Sequence, residues 1–250
     1  MSRMWVPSVV NHRGRTLPVL LGAVVAVAGA LGSLVVLAVL HVPAGGVAAM
    51  IGCALVFAAG FVDDRSSGGG PRGLRSHLRE LARLHVTTGI VKLLVITASA
   101  VVVAATLPRR GGTAIADAVL IAGCANLWNG LDVRPGRALK AFLPVAAAVV
   151  VAGPAIELAP PLPGVVAGAV AVLTPDLRER AVLGDGGSNL LGFVAGLGLV
   201  LVLSGWGVWV AAGCAVVLNV LADTVTLSRI IEVTPPLRWY DALGRVPPEG

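Results

Sequence analysis

Asp185 stands in Leu183 to Phe193, LGDGGSNLLGF, among three glycines and Ser188, directly ahead of an apolar run that continues to Leu203. A carboxylate at the mouth of a membrane helix is costly to hold beside hydrocarbon. That makes it a candidate functional group, and backbone-exposing glycines such as Gly186 let a ligand approach closely. Asp and Ser are also ordinary helix N-caps, so the string alone equally fits a loop aspartate capping the next helix. Polar groups at matching depth stand in three other places: the adjacent pair Asp63-Asp64, the string ANLWNGLD with Asn126, Asn129 and Asp132, and Lys92 between Val91 and Leu93. Adjacent carboxylates repel, and keeping both ionised at a hydrocarbon edge makes sense chiefly with a cation between or beside them. Oxygen donors of this kind suit Mg²⁺ or Mn²⁺, and Mg²⁺ takes one or two protein carboxylates with waters and substrate phosphates. The plainer alternative is that Asp63 and Asp64 end their helix and pair with Arg65. Lys92 reads either as a point charge for a phosphate or as a snorkelling anchor. Trp128 reads as an interface marker, and the amides beside it as partners for a nucleobase, a sugar or a metal-bound water.

The elements that must carry these groups are transmembrane helices. Hydrophobic residues make up 56% of the 250 and charged residues only 13%, with a mean hydropathy of +0.90; soluble domains carry about 25% charged residues. The run Leu17 to Leu40 holds one serine and no charge, enough to span a bilayer. Apolar runs predict eight spans, at Leu17–Leu40, Gly45–Val62, Thr88–Leu107, Thr113–Gly130, Ala138–Gly153, Pro163–Leu173, Asn189–Leu203 and Trp206–Leu227. The fold class expected is all-α, a polytopic helical membrane protein forming a single integral membrane domain over residues 1–250. With the amino terminus inside, every lysine and arginine but Arg109 and Arg110 falls on the inner side, so the positive-inside rule places both termini in the cytoplasm. The candidate carboxylates then share the cytoplasmic side of a multi-pass cell-membrane protein. Residues 63–87 read as a cytoplasmic Gly/Ser hinge plus an amphipathic helix with Arg75, Arg79 and Arg83 on its polar face, and residues 228–250 as a cytoplasmic tail. The net charge of +6 suits anionic headgroups. No nucleic-acid recognition motif is visible.

Taken together, FVDDR, ANLWNGLD and LGDGGSNLLG, in this order and each at an inner helix end, resemble the polyprenyl-phosphate N-acetylhexosamine-1-phosphate transferase superfamily. Its best-known members are phospho-N-acetylmuramoyl-pentapeptide transferase and undecaprenyl-phosphate N-acetylglucosaminyl-1-phosphate transferase. VNHRGRTLP, VTTGIVKLL, LDVRPGRALKAF and SRIIEVTPPLRWYDALGR extend the likeness over nearly the whole chain. The resemblance implies Mg²⁺-dependent transfer of a sugar 1-phosphate from a nucleotide sugar, a UDP-sugar, to a polyprenyl phosphate lipid, with UMP leaving. It implies that Asp185, Asp63 and Asp64 bind metal, that Asp63, Asp64 and Asp132 are the catalytic carboxylates, the adjacent pair lying close to the lipid phosphate, that Asp132 with Asn126 completes an N-x-x-D-G-x-D pattern, and that Lys92 binds phosphate. Asn129, Gly186 and Ser188 join the expected substrate-binding set. Asn129 stands where the family has its first aspartate and Val133 where it has a glycine, and no histidine-rich loop precedes the tail.

Those departures keep a second expectation open, a catalytically lapsed homologue serving as a lipid-phosphate-binding or assembly subunit of cell-envelope glycan synthesis. A small transporter or channel is a third, and only Asp117, toward the outer side of its span and four residues from Thr113, approaches the mid-membrane carboxylate it would need; an outer-edge cap beside Arg109 and Arg110 is the simpler reading of Asp117. Gly192-x-x-x-Gly196 permits close helix contact, within the subunit or across a homodimer. Cys53, Cys124 and Cys214 lie singly in apolar runs and read as small core residues.

Overall fold

The computed structural model describes residues 7–11, 13–66, 87–108, 112–224 and 227–246. Ten α-helices are found among them: α1 (Leu21–Val39), α2 (Ala44–Ser66), α3 (Thr88–Thr106), α4 (Ala114–Leu131), α5 (Arg137–Ala152), α6 (Leu162–Leu177), α7 (Gly184–Val202), α8 (Trp206–Thr224), α9 (Leu227–Val233) and α10 (Pro235–Ala242). The chain is an all-α protein of membrane type. Five helices, α1 to α4 and α7, are long and apolar enough to cross a membrane, and a sixth is gained if α8 is counted with α9, from which it turns by 92°. The eight expected runs therefore recur as eight helices, of which α5 and α6 span only 16 residues each. The expected amphipathic helix, with Arg75, Arg79 and Arg83, lies outside the described residues.

α7 is the axis of the bundle and packs on α1, α2, α4 and α5. Lipid is as apolar as leucine, so helices in a membrane associate by close packing, and small residues at crossings permit it. A Cβ on Gly60 would stand 2.6 Å from the Gly186 backbone, and one on Gly187 would stand 2.5 Å from Gly22. Gly192 and Gly196 press against Cys124, Ala125 and Ile121 of α4. The Gly192-x-x-x-Gly196 face is thus used inside the subunit, which removes the sequence argument for a homodimer. Large apolar residues such as Phe142, Phe193 and Leu191 fill the space between crossings. Other valines and leucines, including Val27, Leu34, Leu94 and Val217, face outward, as expected where the surrounding solvent is hydrocarbon.

Two small elements close one end of the bundle. Strands Ser8–Val10 and Thr16–Pro18 form a hairpin, so α1 begins at Leu21 and not at Leu17. Asn11 Oδ1 accepts from the backbone N–H groups of Arg13 and Arg15 in the turn, both at 2.9 Å. The hairpin docks on the α6–α7 loop through Arg13–Glu179 at 3.2 Å and Asn11–Glu179 at 2.7 Å. At the other side of the same end, α9 and α10 fold back over the start of α5. Two expectations change here. Trp128 is a core residue whose Nε1 donates to the Ala138 carbonyl at 3.2 Å, not an interface marker. Cys214 is exposed while Cys53 and Cys124 are buried, because α8 packs chiefly on α4 and leaves its other side bare.

Candidate functional site

The last turn of α2 sends adjacent side chains in different directions, since successive helical residues are rotated by about 100°. Asp63 turns toward α3, where it is buried and accepts a 2.6 Å hydrogen bond from the Thr88 hydroxyl. Lys92, one turn further along α3 and also buried, bridges Asp63 Oδ2 at 2.6 Å and makes a second, closer contact to Asp185 Oδ2 in the first turn of α7. One ammonium therefore serves two carboxylates from two other helices. The Asp185 side chain is 34% exposed, so this centre opens toward the bundle end.

Asp64, the neighbour of Asp63, is engaged differently. Its two oxygens accept from the backbone N–H groups of Asp185 at 2.9 Å and Gly186 at 3.2 Å, supplying from outside the partners that the first turn of a helix lacks. Asp132, the C-cap of α4, accepts from the backbone N–H of Gly184. Burial, followed by the negative charges of Asp176, Asp185 and Asp64, pushes its carboxyl well above the ordinary carboxylate range. Asp176 accepts from the Gly136 backbone N–H at 2.7 Å and so fixes the α4–α5 loop. Gly184 itself has φ +70°, and a Cβ there would stand 2.6 Å from Asp64 Oδ2 and 2.3 Å from Val19. This turn accepts only glycine.

The expected residues therefore divide. Asp63, Asp64, Asp132, Asp185 and Lys92 come together at one end of the bundle, joined by Ser188, whose hydroxyl donates to Asn129 Oδ1 at 3.0 Å. Asn126 does not join them; its Nδ2 donates at 2.6 Å to Asn219 Oδ1 on α8. Gly186 serves the α2–α7 crossing, with its missing Cβ 3.1 Å from the Phe57 carbonyl, and the glycine string starts a helix where an open collar was expected. Asp176, Thr88, Asn189 and Asn219 went unnoticed in the sequence. Asp176 follows a proline in a helix end that the apolar run does not reach. Asn219 is a single amide within an apolar stretch, and that isolation was the available signal; Asn189 directly follows Ser188 at the head of the apolar run. Asn189 donates to the Asp185 carbonyl at 2.6 Å.

Asp63 and Asp185 are hard oxygen donors already sharing one cation, which fits the one or two carboxylates that Mg²⁺ takes from a protein. Asp64 and Asp132 face backbone donors instead. Among the described residues no three His, Cys, Asp or Glu side chains gather around one point.

The C-terminal tail is tied to the α5 end of the same surface. Arg137 makes two 2.9 Å hydrogen bonds to Asp241, and Arg245 also reaches that carboxylate, at 2.5 Å. Burial pushes the Asp241 carboxyl up, but hydrogen bonds from Arg137 and the charges of Arg137 and Arg245 outweigh it and hold the group below the usual carboxylate range. Lys140 donates to the carbonyls of Tyr240, Asp241 and Leu243, capping α10.

Fold and site together define a helical protein of membrane type with an acidic centre, partly offset by one lysine, at one bundle end. No protein family matches the chain, and no curated protein matches it.

Proposed function

We propose that the chain transfers a sugar 1-phosphate from a UDP-sugar to a polyprenyl phosphate carrier, with Mg²⁺ as cofactor and UMP as leaving group. The observation that carries this reading is the meeting of Asp63, Asp64, Asp132 and Asp185, drawn from three strings far apart in the chain, beside Lys92. The same strings carry the resemblance to the polyprenyl-phosphate N-acetylhexosamine-1-phosphate transferases. The proposal includes eight crossings of a cell membrane, cytoplasmic termini and a site facing the cytoplasm, on the asymmetry of lysine and arginine.

In the reaction a lipid-phosphate oxygen attacks the phosphorus that bears the sugar. A new P–O bond forms, the bond to the bridging oxygen breaks, and its electron pair leaves on UMP. Such a displacement between polyanions depends on positioning and charge neutralisation. Asp63 and Asp185 would hold Mg²⁺, which when bound offsets the charge of the diphosphate. Lys92, already at both carboxylates, is placed to pass its ammonium to a phosphate oxygen. Asp64 and Asp132 act as positioning residues that fix the Gly184 turn and therefore Asp185. Ser188 and Asn129 hold each other beside that turn.

A second reading, a catalytically lapsed lipid-phosphate-binding subunit, is favoured by one observation: two of the four aspartates are already committed to backbone N–H groups. The deciding experiment incubates purified protein with Mg²⁺, undecaprenyl phosphate and a panel of UDP-sugars, UDP-N-acetylglucosamine among them. UMP release with at least one donor is expected. Silence across the panel selects the second reading.

A further inference from the structure

At the bundle end opposite the aspartates, a pocket of about 450 Å³ is lined by Leu107, Thr113, Asp117, Gly153, Leu203 and Val208, among others. Helices α3, α5 and α7 all finish on it, with C-caps Leu107, Gly153 and Leu203. The last carbonyls of each lack an i+4 partner and carry the negative end of the helix dipole, about half an elementary charge each. Two N-termini open on the same space, those of α4 at Thr113 and of α8 beside Gly205. They offset two of the three C-termini. What remains is the field of one helix C-terminus together with the full charge of Asp117.

Asp117 is buried, 8% exposed, and its Oδ2 accepts from the Thr113 hydroxyl at 3.2 Å. A carboxylate in such a place is costly without a cation. Apolar side chains of Leu107, Leu158, Leu203 and Val208 form part of the walls, while polar groups expose somewhat more surface than apolar ones, and the volume greatly exceeds that of a bare metal ion. A single carboxylate, carbonyl ends and these few apolar side chains match an ammonium group carried on a small organic body, whose N–H groups find acceptors while its carbons meet the leucine and valine side chains.

We propose that this pocket binds an ammonium group, supplied either by a lipid headgroup or by a soluble amine, independently of the aspartate end. Its test is esterification of Asp117 by a diazoacetamide, whose reaction with a carboxyl group releases N₂ and is not intercepted by an amine, read by mass spectrometry on purified protein. Ethylammonium chloride should slow labelling at least fivefold against the same concentration of NaCl. In nanodiscs, a similar slowing in phosphatidylethanolamine relative to phosphatidylglycerol, without added amine, identifies a lipid source; slowing by ethylammonium alone identifies a soluble one. Val208→Trp, which fills the pocket without touching a charge, should abolish the protection. The double variant Arg109→Ala/Arg110→Ala should keep it. Protection by neither source, protection that survives Val208→Trp, or protection gained only when the two arginines are removed overturns the proposal, the last because the chain's own side chain is then the occupant.

Discussion

Lys92→Gln separates the ionic centre from its surroundings. The Lys92 nitrogen contacts Oδ2 of both Asp63 and Asp185, so the two oxygens stand within about 4 Å of one another, and at an effective dielectric of about 20 their bare repulsion is about 4 kcal/mol. Removing one partner of a buried ionic group costs about 3–5 kcal/mol. Because the Asp185 side chain is one-third open to solvent, the lower end applies. At 2–4 °C per kcal/mol for a chain of this size, the melting temperature should fall by about 10 °C. Thermal unfolding of detergent-purified protein is the assay, and Lys92→Gln/Asp185→Asn is its control. Deleting the second charge relieves the repulsion, so the double variant should recover most of the loss, a coupling of about 2 kcal/mol in the cycle. Mg²⁺ should raise the melting temperature of Lys92→Gln more than that of the wild type, because it meets no ammonium to displace. A Lys92→Gln loss below about 1 kcal/mol, or additivity in the double variant, refutes the shared-ammonium reasoning.

Three further outcomes follow from the same contacts. Asp64→Ala strips two hydrogen bonds from the start of α7 and should cost about 1–3 kcal/mol, read as faster amide exchange at Asp185 and Gly186 with exchange in α5 unchanged. Gly192→Leu drives a side chain into the Cys124 carbonyl, 2.3 Å from where its Cβ would be, and should lower folded yield in size-exclusion chromatography far more than Gly213→Leu, where open space surrounds the Cβ. The folded-state pKa of Asp241 is depressed; its contribution is therefore complete above the unfolded carboxylate value of about 4 and is lost as pH falls through the lower folded value. Tail cleavage by an acid-active protease should rise below about pH 4, and Arg137→Gln should bring that release to higher pH.

The helices were largely legible because apolar runs interrupted by glycine, proline and arginine mark helix ends directly, as at His41–Gly45 and Gly153–Pro163. The meeting of the aspartates was legible from the alternation of helices, which sends the ends of α2, α4 and α7 to one side. What each aspartate touches was not. Asp63 and Asp64 differ only by a turn of about 100°, and that rotation decides between an ammonium and a pair of backbone N–H groups. The hairpin escapes a hydropathy reading because Leu17 belongs equally to an apolar run and to a strand; the Asn11–Arg15 turn was its mark. The partner of Asn126 was not legible because Asn219 lies 93 residues away, beyond any local spacing rule. The glycines of LGDGG suggested an exposed loop, yet Gly186 and Gly187 are small because α2 and α1 cross there.

The most direct test of the Asp63–Lys92–Asp185 centre is a Mn²⁺ titration followed by EPR, on purified protein with UDP supplying the diphosphate that Lys92 would neutralise. One Mn²⁺ per chain, displaced by Mg²⁺ and lost in both Asp63→Asn and Asp185→Asn but retained in Asp117→Asn, is the predicted result. No bound Mn²⁺, or binding indifferent to Asp63 and Asp185, contradicts it.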